Sequence, residues 1–217
     1  MADFKNLSPD KFIAADVVLT RKPGNFASDK ICLAQTENGQ KGKVSHATLC
    51  IGGLKQIEST VPFTDVSPVT KYLTPEYETI VVRYRGLSAT SRIQIVREAF
   101  THRYEIYPFW NLGLFLVDIG LTKVGHFFHL VHKNRDVVYF TRKSTAMLTC
   151  SRTVAEAFVK GMEDNLGKYM RFGVECVDWQ GCTPDHLWED AQYKKRCEVI
   201  WSNHPLCPDG EFKGAKK

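Results

Sequence analysis

The chain has 217 residues, 43% of them hydrophobic and 24% charged, the balance of a globular protein with a core of its own and not of a disordered, collagen-like or fibrous chain. Lys plus Arg number 29 against 24 Asp plus Glu, a net charge of +5. This excess is mild and unclustered, so no nucleic-acid partner is expected.

The elements follow in chain order. Met1 to Asn6 carries no apolar run behind a basic start, which predicts no signal peptide. A cytoplasmic location is the expectation, with non-classical delivery outside the cell as the alternative. Ile13 to Thr20 is rich in β-branched residues and predicts a strand. Lys22 to Lys43 is polar, with a short helix expected near Ser28 to Gln35. Val44 to Ile51 predicts a strand, Gly52-Gly53 a turn, Lys55 to Ser59 a second hairpin strand and Thr79 to Tyr84 a further one. Ser91 to Phe100 predicts a helix capped by Ser91, with Ile93, Val96, Ala99 and Phe100 at helical spacing. Ile106 to Leu121 is the most apolar stretch, but at about 16 residues it is shorter than the roughly 20 a spanning helix needs. Plain core is its default reading and peripheral membrane contact the alternative. Thr145 to Gly161 predicts a strong helix, Thr183-Pro184-Asp185-His186 a helix start and Cys197 to Trp201 a last strand. Residues 208–217 read as a flexible tail, leaving 1–207 as a single α+β domain. The short basic runs Arg83-Tyr84-Arg85 and Lys194-Lys195-Arg196 read as solvated ends.

Seven cysteines cannot all pair within one chain, and a chain this long needs no disulfide framework, so free thiols are expected. Cys150 stands out among them. It opens a helix, where free backbone N–H groups and the positive end of the helix dipole favour thiolate over thiol. His46 lies on an apolar strand, and Glu58 lies across a tight hairpin from it. A cysteine hydrolase needs a thiol, a base within reach and a group that orients the base, and these three residues supply one of each. The remaining cysteines are expected to be packing residues. Cys176, Cys182, His186, Cys197, His204 and Cys207 lack the tight Cys-x₂₋₄-Cys pairs of structural zinc sites, so no metal is expected.

The order of these motifs resembles the circularly permuted branch of the NlpC-type papain-fold cysteine peptidases, the YiiX-like group. Ala15-Asp16-Val17-Val18-Leu19-Thr20 matches that group's opening strand, with Ala15 where Gly is usual. Ser45-His46-Ala47-Thr48-Leu49 with Ile51-Gly52, then Ile57-Glu58, Cys150-Ser151 and Thr183-Pro184-Asp185 match the motifs that follow. The resemblance implies a permuted papain-like fold, with an antiparallel, small barrel-like sheet packed against helices. It implies Cys150 as nucleophile, His46 as general base and Glu58 as the orienting residue, with no cofactor. Tyr104 or Tyr107 would correspond to an aromatic placed near the substrate. The implied activity is cleavage of an amide, peptide or aminoacyl, through an acyl-enzyme. Two alternatives stay open. One is a lipid acyl hydrolase or acyltransferase related to lecithin–retinol acyltransferase, acting on a lipid amide or ester. The other is an inert binding module of the same fold.

Overall fold

The computed structural model describes residues 11–35, 41–106, 149–162, 182–192 and 196–207. Its elements are β1 (Val17–Arg21), α1 (Phe26–Ala34), β2 (His46–Gly52), β3 (Lys55–Ser59), β4 (Thr64–Pro68), β5 (Glu78–Tyr84), α2 (Ala89–Thr101), α3 (Thr149–Gly161), α4 (Pro184–Gln192) and β6 (Cys197–Ser202). The strands form one antiparallel sheet in the order β4-β3-β2-β1-β5-β6. The protein is therefore α+β, as expected. The barrel-like closure is not found: among the described residues the sheet is open, with β4 and β6 at its edges.

Strand alternation divides the buried side chains into two layers. Val17, Leu19, Leu49, Ile57, Ile80 and Val82 form one core with Ile95 and Ala99 of α2, Val154 and Phe158 of α3, and Leu187 and Trp188 of α4. Val18, Cys50 and Val81 point the other way and meet Phe12, Leu73 and Trp201. Each fully buried Leu, Ile or Phe contributes about 1.5–3 kcal/mol by leaving water, so the helix-covered face carries most of the apolar stabilisation. The helices α2 and α3 pack directly on each other.

Several boundaries differ from the sequence reading, each for a local reason. The first strand begins at Val17 rather than Ile13, because Ala15 has φ +65° and Asp16 N–H turns back to the Ile13 carbonyl. The short helix starts at Phe26, two residues early, because the Asn25 side chain accepts the Ser28 N–H and caps it. Ser88, not Ser91, caps α2, and the N–H of Ser91 is the group that the cap satisfies. Strand β4 has no counterpart in the sequence reading. The strong helix is described from Thr149; residues 145–148, like the tail 208–217, lie outside the described residues. Thr183 caps α4 in a reciprocal pair: its hydroxyl accepts the His186 N–H and its own N–H reaches His186 Nδ1. Pro184 takes the first helical position, where its missing N–H costs nothing.

The basic run Arg83-Tyr84-Arg85 is not simply a solvated end. Arg83 forms a bidentate pair with the fully buried Asp16, and the Tyr84 hydroxyl donates to the buried Asp190. Arg196 binds the other oxygen of Asp190.

Candidate active site

The hairpin of β2 and β3 sets the first contact. Leu49 pairs with Ile57 and Cys50 with Gln56, so His46 stands diagonally across from Glu58 on one face of the sheet. Their Nε2 and Oε2 atoms are 3.4 Å apart. The same diagonal relation one step further along joins the Thr48 hydroxyl to Gln56 at 2.6 Å.

The second contact comes from α3, which lies on β2 and β3. Cys150 is in its first turn, where backbone N–H groups have no helical partner. Two hydroxyl contacts fix this turn. Ser151 donates to the Cys182 carbonyl at 2.7 Å, and Thr153 meets Ser59, the last residue of β3, at 2.9 Å. The imidazole of His46 and the backbone N–H groups of Ala47 and Ser151 neighbour the Cys150 sulfur and favour its negative form. Cys150 is only 6% exposed, so its chemistry is set by these neighbours more than by water.

Electrostatics separate this thiol from the others. Burial works against the Cys150 thiolate, but the charge and hydrogen bond of His46, with the Ala47 and Ser151 amides, outweigh it and hold the thiol below its ordinary range. Burial likewise works against a charged His46; the negative sulfur of Cys150 and the carboxylate of Glu58 outweigh that and raise the imidazole to about 9. The two shifts agree on one state, a thiolate beside an imidazolium. Burial pushes Cys32 up to about 11, and it raises Cys50, Cys182 and Cys197 as well. Those four are free thiols and buried, and Cys207 is buried too, which fits packing residues. Cys176 lies outside the described residues.

Glu58 is 4% exposed and is held from three sides. Lys71 Nζ donates to its Oε1 at 2.8 Å, and the Tyr72 hydroxyl donates to Oε2, the oxygen that faces His46. Burial alone would raise the Glu58 carboxyl, but His46, Lys71 and Ser67 reverse that and hold it well below the usual carboxylate range. Burial and the Glu58 charge raise the Tyr72 phenol, which keeps its proton as donor. The Tyr72 ring also packs beside the imidazole, with centroids 5.5 Å apart. Sequence reasoning missed both Lys71 and Tyr72. They sit in and just after the 3-10 turn Val69–Lys71 that follows β4, and no periodicity marks that stretch.

A pocket of about 220 Å³ opens beside His46. Its aromatic walls are Tyr72 and Tyr77, and Arg21, Lys22, Asn25 and Thr60 complete much of the rest. Cys150 does not line it. Nor does Tyr104, the expected substrate aromatic: it is 64% exposed, with φ +69° and the Arg103 guanidinium 4.6 Å from its ring centre. Tyr107 lies outside the described residues. So do residues 107–121 of the apolar stretch, the exception being Ile106, which is 81% exposed and bridges to Phe63. Among the described residues no helix is long and apolar enough to cross a membrane.

The histidines weighed for zinc have other uses. His186 Nδ1 caps α4. His204 accepts the Leu206 N–H at Nδ1, faces the Lys43 carbonyl through Nε2 at 3.3 Å and packs at a tilt against Trp188. Burial lowers it to about 4, so it is neutral at pH 7. Compared with known protein families, curated proteins and solved structures, the chain finds no match.

Proposed function

We infer that the chain is a cysteine-dependent hydrolase that cleaves an amide bond, with Cys150 as nucleophile, His46 as its acid–base partner and Glu58 orienting His46. The observation that carries this reading is a buried thiol in the first turn of α3, beside an imidazole whose Nε2 lies 3.4 Å from a buried carboxylate, and the shifts of the pair agree with it. Cys150 is lowered and His46 raised, while burial raises every other described thiol whose shift is resolved. Perturbed groups that meet at a helix N-terminus are the mark of a nucleophile and its base.

In the proposed reaction the thiolate adds to the carbonyl carbon, and backbone N–H groups at the start of α3 stabilise the oxyanion. The C–N bond breaks as His46 gives its proton to the departing amine, leaving a thioester on Cys150. Water then attacks the thioester and gives a proton to His46, which restores the thiolate–imidazolium pair.

We place this chemistry in a permuted papain-like fold of the YiiX-like kind. In support, histidine and acid strands precede the cysteine helix in the chain, and that helix packs on both strands. Ala15 gives further support: it adopts φ +65°, a backbone that glycine reaches freely, at the position where the resemblance places Gly.

A thiol-directed probe tests the reading. Iodoacetamide should alkylate Cys150 well below pH 8.5, the ordinary thiol value. His46→Ala should move that profile above the ordinary value, because burial remains and the opposing charge is gone. Equal labelling of Cys150→Ala and wild type would sink the assignment. The lipid acyl-transfer reading draws on one feature, the bridge that joins the exposed Phe63 and Ile106. Failure to co-sediment with liposomes of any composition removes it.

A further inference from the structure

The pocket beside His46 has a chemistry that bears on the substrate. Among the described residues no carboxylate lines it, whereas Arg21, Lys22 and His46 do. Their acidic neighbours Asp29, Glu78 and Glu76 all lie outside the lining. Arg21 is under-used as a donor. Among the described residues its side chain gives one hydrogen bond, Nη2 to Asp29 at 3.1 Å; Glu78 is 3.8 Å away, and the buried Nε–H has no partner there. A guanidinium carries five N–H donors in a fork that fits a carboxylate. Asn25 uses its carbonyl oxygen to cap α1, which leaves its amide N–H groups as further donors.

Position assigns the pocket to one half of the substrate. His46 lines it and Cys150 does not. The carbonyl that is attacked must sit at the sulfur, and the departing nitrogen must sit at the group that protonates it. A pocket walled by the acid and not by the nucleophile is therefore where the leaving amine goes. Its 220 Å³ is below the roughly 300–1,000 Å³ of pockets that enclose drug-sized ligands, so it suits one small residue and not a long peptide.

We propose that this pocket binds a leaving amine bearing a carboxylate, that is, a single amino-acid residue whose carboxylate lies against Arg21 and Lys22 and whose nitrogen lies at His46. The proposal rests on the amidase reading above and names its substrate class: acyl–amino acid amides. Bond changes are those of the acylation step. The C–N bond breaks, the nitrogen takes the His46 proton and the free amino acid departs.

Running that step in reverse tests it. The full chain is treated with p-nitrophenyl acetate to form an acetyl-enzyme, and alanine or alaninamide is offered as acceptor. The fraction transferred to amine instead of water is measured against acceptor concentration. Alanine should saturate, and the alanine-to-alaninamide partition ratio should fall at least tenfold in Arg21→Met and at least threefold in Lys22→Met. Comparing ratios between proteins cancels the different basicities of the two amines. Should Arg21→Met fail to fold, Lys22→Met, at a half-exposed side chain, still decides the matter. A ratio unchanged in the folded variants, or alanine that never saturates, overturns the pocket assignment and leaves the amidase reading standing. A p-nitrophenol burst no larger than that of Cys150→Ala overturns both.

Discussion

At the scale of single residues, Glu58 is the second charge, after the Cys150 sulfur, that sets how His46 behaves. Its carboxylate favours the imidazolium, and its own position is fixed by Lys71 and the Tyr72 hydroxyl. Glu58→Gln keeps the shape and removes the charge. His46 is raised to about 9, so its proton is available to a leaving amine up to that pH and is lost above it. Removing one of the charges that raise it must bring the alkaline limb of the kcat/KM profile to lower pH. The expected loss at the optimum is about 10²-fold, the lower end of what general acid–base catalysis contributes. An alkaline limb that stays near 9 in the variant shows that Glu58 does not act through His46. Tyr72→Phe should shift the same limb in the same direction by less, since Lys71 still holds the carboxylate. The contact of His46 with Glu58 was legible from the sequence, because a hairpin is a local signal; the meeting of Cys150 with them followed only from what a cysteine hydrolase needs and from the resemblance, since no local pattern joins residues about a hundred positions apart. Lys71 and Tyr72 were not legible, because only the pairing of β3 with β4 brings them under Glu58.

At the scale of elements, the strands and helices with apolar periodicity were legible and the polar edge was not. The edge strand β4 reads Thr-Asp-Val-Ser-Pro, with one aliphatic residue and a terminal proline. It owes its conformation to the β3 ladder more than to its own propensity. The cap of α2 was misplaced by one turn for a related reason: Ser88 and Ser91 are both cap-forming residues, and backbone geometry chooses between them. A closer constraint is hidden in the packing of α2 on α3. A Cβ built on Gly161 would lie 2.6 Å from Ile95 Cα and 2.7 Å from its nitrogen. Both are backbone atoms, which cannot rotate away. Gly161→Ala should therefore destabilise the protein by about 2 kcal/mol through overpacking, even though alanine is the better helix former. The midpoint of denaturant unfolding measures this. A change of less than about 0.5 kcal/mol, the range of ordinary surface substitutions, argues against so close a crossing.

At the scale of the whole molecule, one buried carboxylate joins parts far apart in sequence. Asp16 is fully buried just before the central strand β1. Arg83 of β5 grips both its oxygens at 2.8 Å, Arg92 of α2 stands 3.7 Å away, and the Ile13 N–H donates to it. Arg92 also reaches the carbonyls of Ala14 and Tyr84. The motif that opens with Ala15-Asp16 thus has a structural content: the carboxylate locks the entry of β1 against β5 and α2. Asp16→Asn leaves two arginines facing a neutral amide. Removing one partner of a buried pair costs about 3–5 kcal/mol. Arg83 keeps some access to solvent, with 21% of its side chain exposed, so the lower figure of about 3 kcal/mol is expected. In a domain of this size that corresponds to a fall in Tm of about 10 °C. None of these groups touches Cys150, His46 or Glu58. Below the transition, the rate of Cys150 alkylation per folded molecule should therefore match wild type. A variant that loses stability and keeps its thiol chemistry places Asp16 in the frame; one that also loses the low thiol pKa shows that the entry of β1 sets the geometry of the site on the neighbouring strands β2 and β3.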